Sequence, residues 1–236
     1  MPFSAKTLDF LFENRLHDSR IWFEEHKEEY QKQVLFPLQE LVRQLTPHVL
    51  KIDSQLTTEP RVDRTICRIR RDTRFSHDKS LYRDNMWIIF KRGKMHGTEV
   101  PGIYFEIAAD GFHYGCGFYN ASVRYMETMR SMILANDPDF CKADQRFCSQ
   151  AVYHIEGDCY KRPRFEKQPQ NRREGLERRG ICFVADSQDF ELLFSNHLAE
   201  KLAADFSILS PIYRFLQKVS FVEREKRENK LEVQRP

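Results

Sequence analysis

No run of this chain approaches the roughly 18 apolar residues that a membrane-spanning helix requires. Its first residues, MPFSAKTLDF, lack the basic stretch and long apolar run of a secretory leader. No CxxC pair occurs, so neither a zinc ribbon nor a thioredoxin-type motif is expected. The eight histidines never fall at HxH, HxxxH or HExxH spacing, which argues against a metal centre. A GxSxG elbow and a Walker loop are both missing, and the GCG at 115–117 is too short to cradle a phosphate. Helix-turn-helix, RNP and KH signatures are absent too. Neither an internal repeat nor a low-complexity tract is visible. These absences set an expectation of a cytoplasmic protein without membrane contact or resident metal, and they name no cofactor.

What is present is an uneven charge pattern on an aromatic-rich chain. Of 236 residues, 13% are aromatic and 41% hydrophobic, enough to bury a core and to exclude global disorder. Net charge is +3, yet residues 61–83 alone carry eight Lys/Arg against three Asp, a local +5. Residues 161–179 carry eight Lys/Arg against three Glu, another +5, which leaves the remainder at −7. Two basic islands in an acidic background favour local anion sites over a uniformly basic coat. Several of the six cysteines sit in apolar patterns, and they read as buried free thiols in a reducing compartment.

Periodicity then predicts the elements. Ser4 caps a first helix to about Leu16, with Leu8, Leu11 and Phe12 on its apolar face. Asp18 or Ser19 caps a second, in which Phe23, Tyr30 and Val34 share a face. Pro37 stops or bends it, and Leu38, Leu41, Val42, Leu45 and Val49 mark a third. Cys67 and Ile69 alternate with Arg68 and Arg70 as a strand, and residues 87–90 read as a buried strand. Two alternating runs meet at Asp110-Gly111, the signal of a hairpin. Its second strand puts His113, Gly115, Gly117 and Tyr119 on one face, where bare glycines admit a packed helix, the basic loop or a ligand. Helices follow from Ser122 and from Asp137-Pro138, with Met126, Met129 and Ile133 as core. A polar loop spans 157–179 and a last strand 181–185. Leu198, Leu202, Phe206 and Leu209 mark a helix, Pro211 starts or bends the next segment, and the tail at 223–236 frays. The sum is one α+β domain over residues 1–222, with a helical part at 4–50 and a mainly antiparallel sheet flanked by helices.

The segments WFEEHKEEY (22–30) and RIRRDTRFSHDKSLYR (68–83) resemble the two signatures of domain-of-unknown-function family 2461. The run PGIYFEIAADGFHYGCGFY (101–119) is similar to that family's hairpin, and Arg130 and GDCYKRP (157–163) keep its order. The resemblance covers nearly the whole chain. It implies matching positions at Arg68, Arg71, Asp72, Arg74, Phe75, Ser76, Asp78, Lys79, Tyr82 and Arg83, with Lys161 and Arg162 downstream. Leu81 stands where the family usually has Pro, His77 where it often has Lys, and Asn120-Ala121 where it often has His-Pro, so a role for that His does not carry over. The family brings no reaction with it.

The chemistry therefore rests on the basic loop. Arg68, Arg71, Arg74, Lys79, Lys161 and Arg162 supply donors matched to phosphate or carboxylate, with Ser76 and Tyr82 as hydroxyl partners. Asp72 and Asp78 are the candidate general bases. Against this stands a self-satisfied ion-pair network that pins the loop, because buried charges must be paired. A nucleic-acid reading would add stacking on Phe75, Tyr82, Tyr160 and Phe165. His26 and His113 read as packing or hydrogen-bonding residues, and Cys116 as core. The leading expectation is an anionic small-molecule ligand. Nucleic acid comes second, and a non-catalytic interaction module with a structural loop third.

Overall fold

The computed structural model describes residues 3–74, 76–95, 98–118 and 120–233. Phe75 and Tyr119, both weighed above, lie outside the described residues. Helix α1 (Ala5–His17) starts at Ser4, whose N–H donates to Thr7 Oγ1 at 3.2 Å. Its buried face is Thr7, Phe10, Leu11 and Asn14, whereas Phe12 is 62% exposed. The expected apolar face was thus displaced by about two residues. Helix α2 (Arg20–Glu25) begins with Ser19 Oγ accepting from the Trp22 N–H. It is followed by α3 (Lys27–Tyr30), a π-helical turn at Gln31–Leu35, and α4 (Phe36–Ile52). Pro37 sits in the first turn of α4, where a missing N–H costs little. The wide turn precedes it, so the chain bends there and does not stop.

Strands β1 (Met86–Lys91), β2 (Gly102–Ala108) and β3 (Gly111–Gly117) come next. Helices α5 (Val123–Leu134) and α6 (Pro138–Cys148), strand β4 (His154–Glu156) and helix α7 (Gln170–Leu176) follow. Strand β5 (Cys182–Ser187) and helices α8 (Phe190–Leu193) and α9 (Leu198–Val233) complete the chain. The strands hydrogen-bond in the order β1-β2-β3-β5-β4, an antiparallel sheet in an α+β protein. In the outer pair His154 faces Val184 and Glu156 faces Cys182. Residues 67–69 form no strand. Only isolated bridges Ile66–Ile88 and Arg70–Tyr82 occur there, although Cys67 and Ile69 are buried and Arg68 and Arg70 exposed as the alternation requires.

Two compact units divide the contacts. The first takes residues up to 95 with 104–114 and 186–204. Its core joins Phe10, Phe23 and Tyr30 to Leu38, Leu41, Leu45, Ile88 and Phe105, with Phe23 and Tyr30 ring centroids 5.4 Å apart. The second takes the segment ending at Ile103, residues 115–185 and the chain from Asp205 onward. Its core sets Tyr125, Met126, Met129 and Ile133 of α5 among the buried residues with Ile212, Phe215 and Leu216 of α9. There the Tyr125 hydroxyl donates to the Leu216 carbonyl at 2.9 Å.

Three further expectations need correction. Helix α9 runs unbroken through Pro211, and it continues to Val233 where a frayed tail was expected. Glu223, Arg227 and Glu228 alternate in sign at helical spacing, and Arg227 pairs with Glu99 at 2.9 Å, which supports the extension. The glycines of β3 face neither a helix nor the basic loop. A Cβ at Gly115 would overlap the Phe183 carbonyl oxygen, and one at Gly117 would lie 2.7 Å from Cys182 Cα. Strand β5 is what they admit. Finally, only Cys67 and Cys116 are buried; Cys141, Cys148 and Cys159 are exposed, and Cys182 is half-buried. No helix among the described residues is long and apolar enough to cross a membrane.

Candidate functional site

The basic loop of the first unit is a hairpin held at its base by backbone bonds. Arg71 N–H donates to the Leu81 carbonyl and Arg83 N–H to the Ile69 carbonyl, each at 2.9 Å. The C-terminus of α1 clamps it from outside. Asp18 is the left-handed cap of that helix (φ 43°), and its Oδ1 accepts from Leu81 N–H at 2.7 Å and Tyr82 N–H at 3.1 Å. Arg15, one turn earlier, donates to Asp78 at 2.8 Å and to the Tyr82 carbonyl at 3.3 Å.

Inside the hairpin every Lys and Arg but Arg70 has a carboxylate or carbonyl partner among the described residues, and Arg70 lies 5.9 Å from the Tyr82 ring centroid. Arg71 pairs with Asp78 and reaches Ser76 Oγ at 3.4 Å. Arg74 forks onto Asp72 through Nε at 2.9 Å and Nη2 at 2.6 Å, and its own N–H donates to the same carboxylate. Lys79 donates to the Thr73 carbonyl at 2.9 Å. Arg68 pairs with Asp63 at 2.6 Å. Arg83 donates to the Arg68 carbonyl at 3.1 Å and lies 4.3 Å over the Trp87 ring. Tyr82 is buried, its ring 5.0 Å from Phe23.

This geometry determines what the two aspartates can do. Hydrogen bonds from the Arg74 side chain and backbone lower Asp72 to about 2. The Ser80 hydroxyl and N–H, with Arg15, hold Asp78 well below the carboxylate range. Both carboxylates are tied up as acceptors and are weak bases near neutral pH, a poor match to general-base catalysis. The outer pairs are open to solvent, with the Arg74 side chain 76% exposed, and such pairs exchange readily.

An open cavity of about 430 Å³ adjoins the hairpin. Leu8, Leu11, Phe12 and Leu16 form its apolar wall, and Arg15, Ser80 and the acidic Asp84 its polar one. Elsewhere in this unit His113 Nδ1 meets Asp186 Oδ1 at 2.5 Å, with Asp110 3.7 Å from its other nitrogen. His26 stacks on Trp22 at 4.0 Å, a packing role as expected.

Lys161 and Arg162 belong to the second unit, where both are exposed. The structure therefore groups Arg68, Arg71, Asp72, Arg74, Ser76, Asp78, Lys79 and Tyr82 in one unit and those two in the other. Arg15 and Asp18 escaped sequence reasoning. Asp18 fits either the end of one helix or the start of the next, and no local pattern ties Arg15 to a loop 63 residues away.

A self-paired hairpin over residues 68–83 clamped to a helix end, in an α+β protein, is the class of molecule these observations define. The chain matches the conserved hypothetical protein family DUF2461 over residues 6–215, and it belongs to that family. A search of curated proteins gave no match.

Proposed function

We propose that the chain is a non-catalytic interaction module whose loop at 68–83 is a structural clasp. One observation carries this reading: Arg68, Arg71, Arg74 and Lys79 each already engage a carboxylate or a carbonyl within the chain. A guanidinium whose fork is filled by an internal carboxylate binds an external anion only by displacing it. The lowered Asp72 and Asp78 support the same conclusion, since neither is poised to take a proton. We also place the chain in the cytoplasm, since Cys67, Cys116, Cys141, Cys148 and Cys159 stand as thiols.

A second reading keeps the hairpin as the site of an anionic small molecule, held by Arg68, Arg71, Arg74, Ser76, Lys79 and Tyr82. The neighbouring 430 Å³ cavity favours it, because its volume falls within the range of small-molecule pockets and Arg15 reaches both.

Thermal melts separate the two. The clasp reading expects Arg71→Ala to lower the midpoint, and phosphate, nucleotides and dicarboxylates to leave the parent's midpoint unmoved at low salt. A small anion that stabilises the parent but not Lys79→Ala, with Arg71→Ala as stable as the parent, would reverse the order of the readings.

A further inference from the structure

The two basic islands differ in kind. In the first, carboxylates are matched to cations. In the second, residues 161–179, two of the three acids are already engaged, and the third, Glu166, is exposed beside Lys167. Glu177 accepts from the Arg164 and Phe165 backbone N–H groups at 2.9 and 2.7 Å. Glu174 pairs with Arg178 at 3.6 Å. Arg178 is turned inward as well, donating to the Gly157 carbonyl at 2.7 Å.

Lys161, Arg162, Lys167 and Arg179 are exposed, and none has an ion-pair partner among the described residues. They are also held in place. The chain folds back on itself at the Cys159–Arg178 bridge, where Tyr160 N–H donates to the Glu177 carbonyl at 2.9 Å. Arg179 N–H donates to the Asp158 carbonyl at 2.6 Å. Arg130 of α5, buried, anchors this fold by donating to the Leu176 carbonyl at 2.9 Å and the Arg178 carbonyl at 2.5 Å. Free cations on an ordered, doubled-back segment form a positive surface and not a floppy tail.

We infer that this segment of the second unit binds the phosphate backbone of a nucleic acid without reading its sequence. The inference rests on the interaction-module reading and names its partner. Two of these four cations are arginine, whose planar fork fits phosphate oxygens, and the two lysines add point charges. The heads are exposed one by one, so a single small anion gains little from any of them. A polyanion gains from all of them together through counterion release. Base stacking is not offered: the Tyr160 ring already carries the Arg164 guanidinium at 3.8 Å and that of Arg130 at 5.0 Å. An anionic membrane fits less well, because no large apolar side chain of residues 157–180 is among the exposed ones and nothing there would insert.

The test is fluorescence anisotropy of the full chain with labelled oligothymidylate and oligoadenylate of about 20 nucleotides, at 50 and 200 mM salt. Four phosphate contacts on a single strand give a log–log salt slope of about −3, so affinity should fall about 50-fold over that range. Both oligomers should bind alike. The variant Lys161→Gln/Arg162→Gln/Lys167→Gln/Arg179→Gln should lose at least tenfold at 50 mM and flatten the salt slope, with an unchanged melting midpoint. If that variant melts early, Lys161→Gln/Lys167→Gln serves instead, with about half the slope lost. Failure of the parent to bind at 50 mM overturns the inference. So does a folded variant that binds as the parent does, or binding to phosphatidylserine vesicles in place of the oligomers. None of these results touches the clasp reading, which is judged by the stability of Arg71→Ala.

Discussion

Asp18 concentrates three requirements in one side chain. It ends α1 in the left-handed region, where Asp and Asn are tolerated far better than Ala. Its N–H closes that helix onto the Asn14 carbonyl at 3.1 Å. Its carboxylate receives two N–H groups from the far side of the hairpin. Asp18→Ala removes a charged acceptor from two backbone donors, which typically costs about 1.5–3 kcal/mol. Asp18→Asn keeps both the oxygen acceptor and the left-handed preference and should retain most of that. Chemical denaturation of the two variants checks the order, and equal losses would mean that the clamp depends on charge alone. Little of this was legible in advance. The density of Arg and Asp at 68–83 marked the hairpin, but the residues that hold it come from a helix distant in sequence, and long-range pairing leaves no periodic trace.

At the scale of elements, legibility followed burial. Strand β2 was readable because alternate residues are buried, β3 because the Asp110-Gly111 turn joins it to β2, and α4 and α5 because their apolar residues recur at helical spacing. Strand β4 and helix α7 were not, since His154 and Glu156 are exposed and α7 is polar except for Leu176. Pro211 misled for a related reason. A helix-interior proline costs about 3 kcal/mol in isolation, yet burial of Leu209, Ile212, Phe215 and Leu216 holds α9 straight through it. The β3 glycines were correctly read as points of close approach, but what approaches them is strand β5. Gly115→Ala should therefore destabilise by about 1–3 kcal/mol, the range for overpacking, because the atom it strikes is backbone and cannot rotate away. Gly93→Ala is not a fair control, since its φ of 73° adds strain of its own. Gly180→Ala meets nothing and should be near neutral. Urea titration of the pair measures the difference, and equal midpoints would show that β5 can shift.

For the molecule as a whole, the titrating groups set the limits of the pH range in which it is most stable. Asp72, Asp78 and Glu99 are lowered chiefly by hydrogen bonds from Arg74, Ser80 and Arg227. Asp137 is raised by burial but lowered further by Lys218, and lies low on balance. A lowered carboxyl contributes stability above its unfolded value, near 3.8 for Asp and 4.5 for Glu, and loses it as pH falls through the folded one. Most of these groups are exposed and screened, so the acid limb should be shallow. Asp144, raised by burial, works in the opposite direction. His113 governs the other side. Burial disfavours its cation, but the Asp186 hydrogen bond and the charges of Asp186, Asp110 and Glu106 outweigh that, and it lies above its ordinary 6.5. A raised imidazole contributes fully below 6.5 and loses that contribution as pH rises through its folded value. Stability should therefore peak between about pH 4.5 and 6.5 and decline toward pH 8. His113→Gln keeps a hydrogen-bonding side chain but cannot titrate, so its melting midpoint should be lower than the parent's at pH 6 and nearly equal at pH 8. Thermal melts of both proteins at unit pH steps read this directly. A parent and variant that fall in parallel from pH 6 to 8 would assign the alkaline decline to groups other than this imidazole.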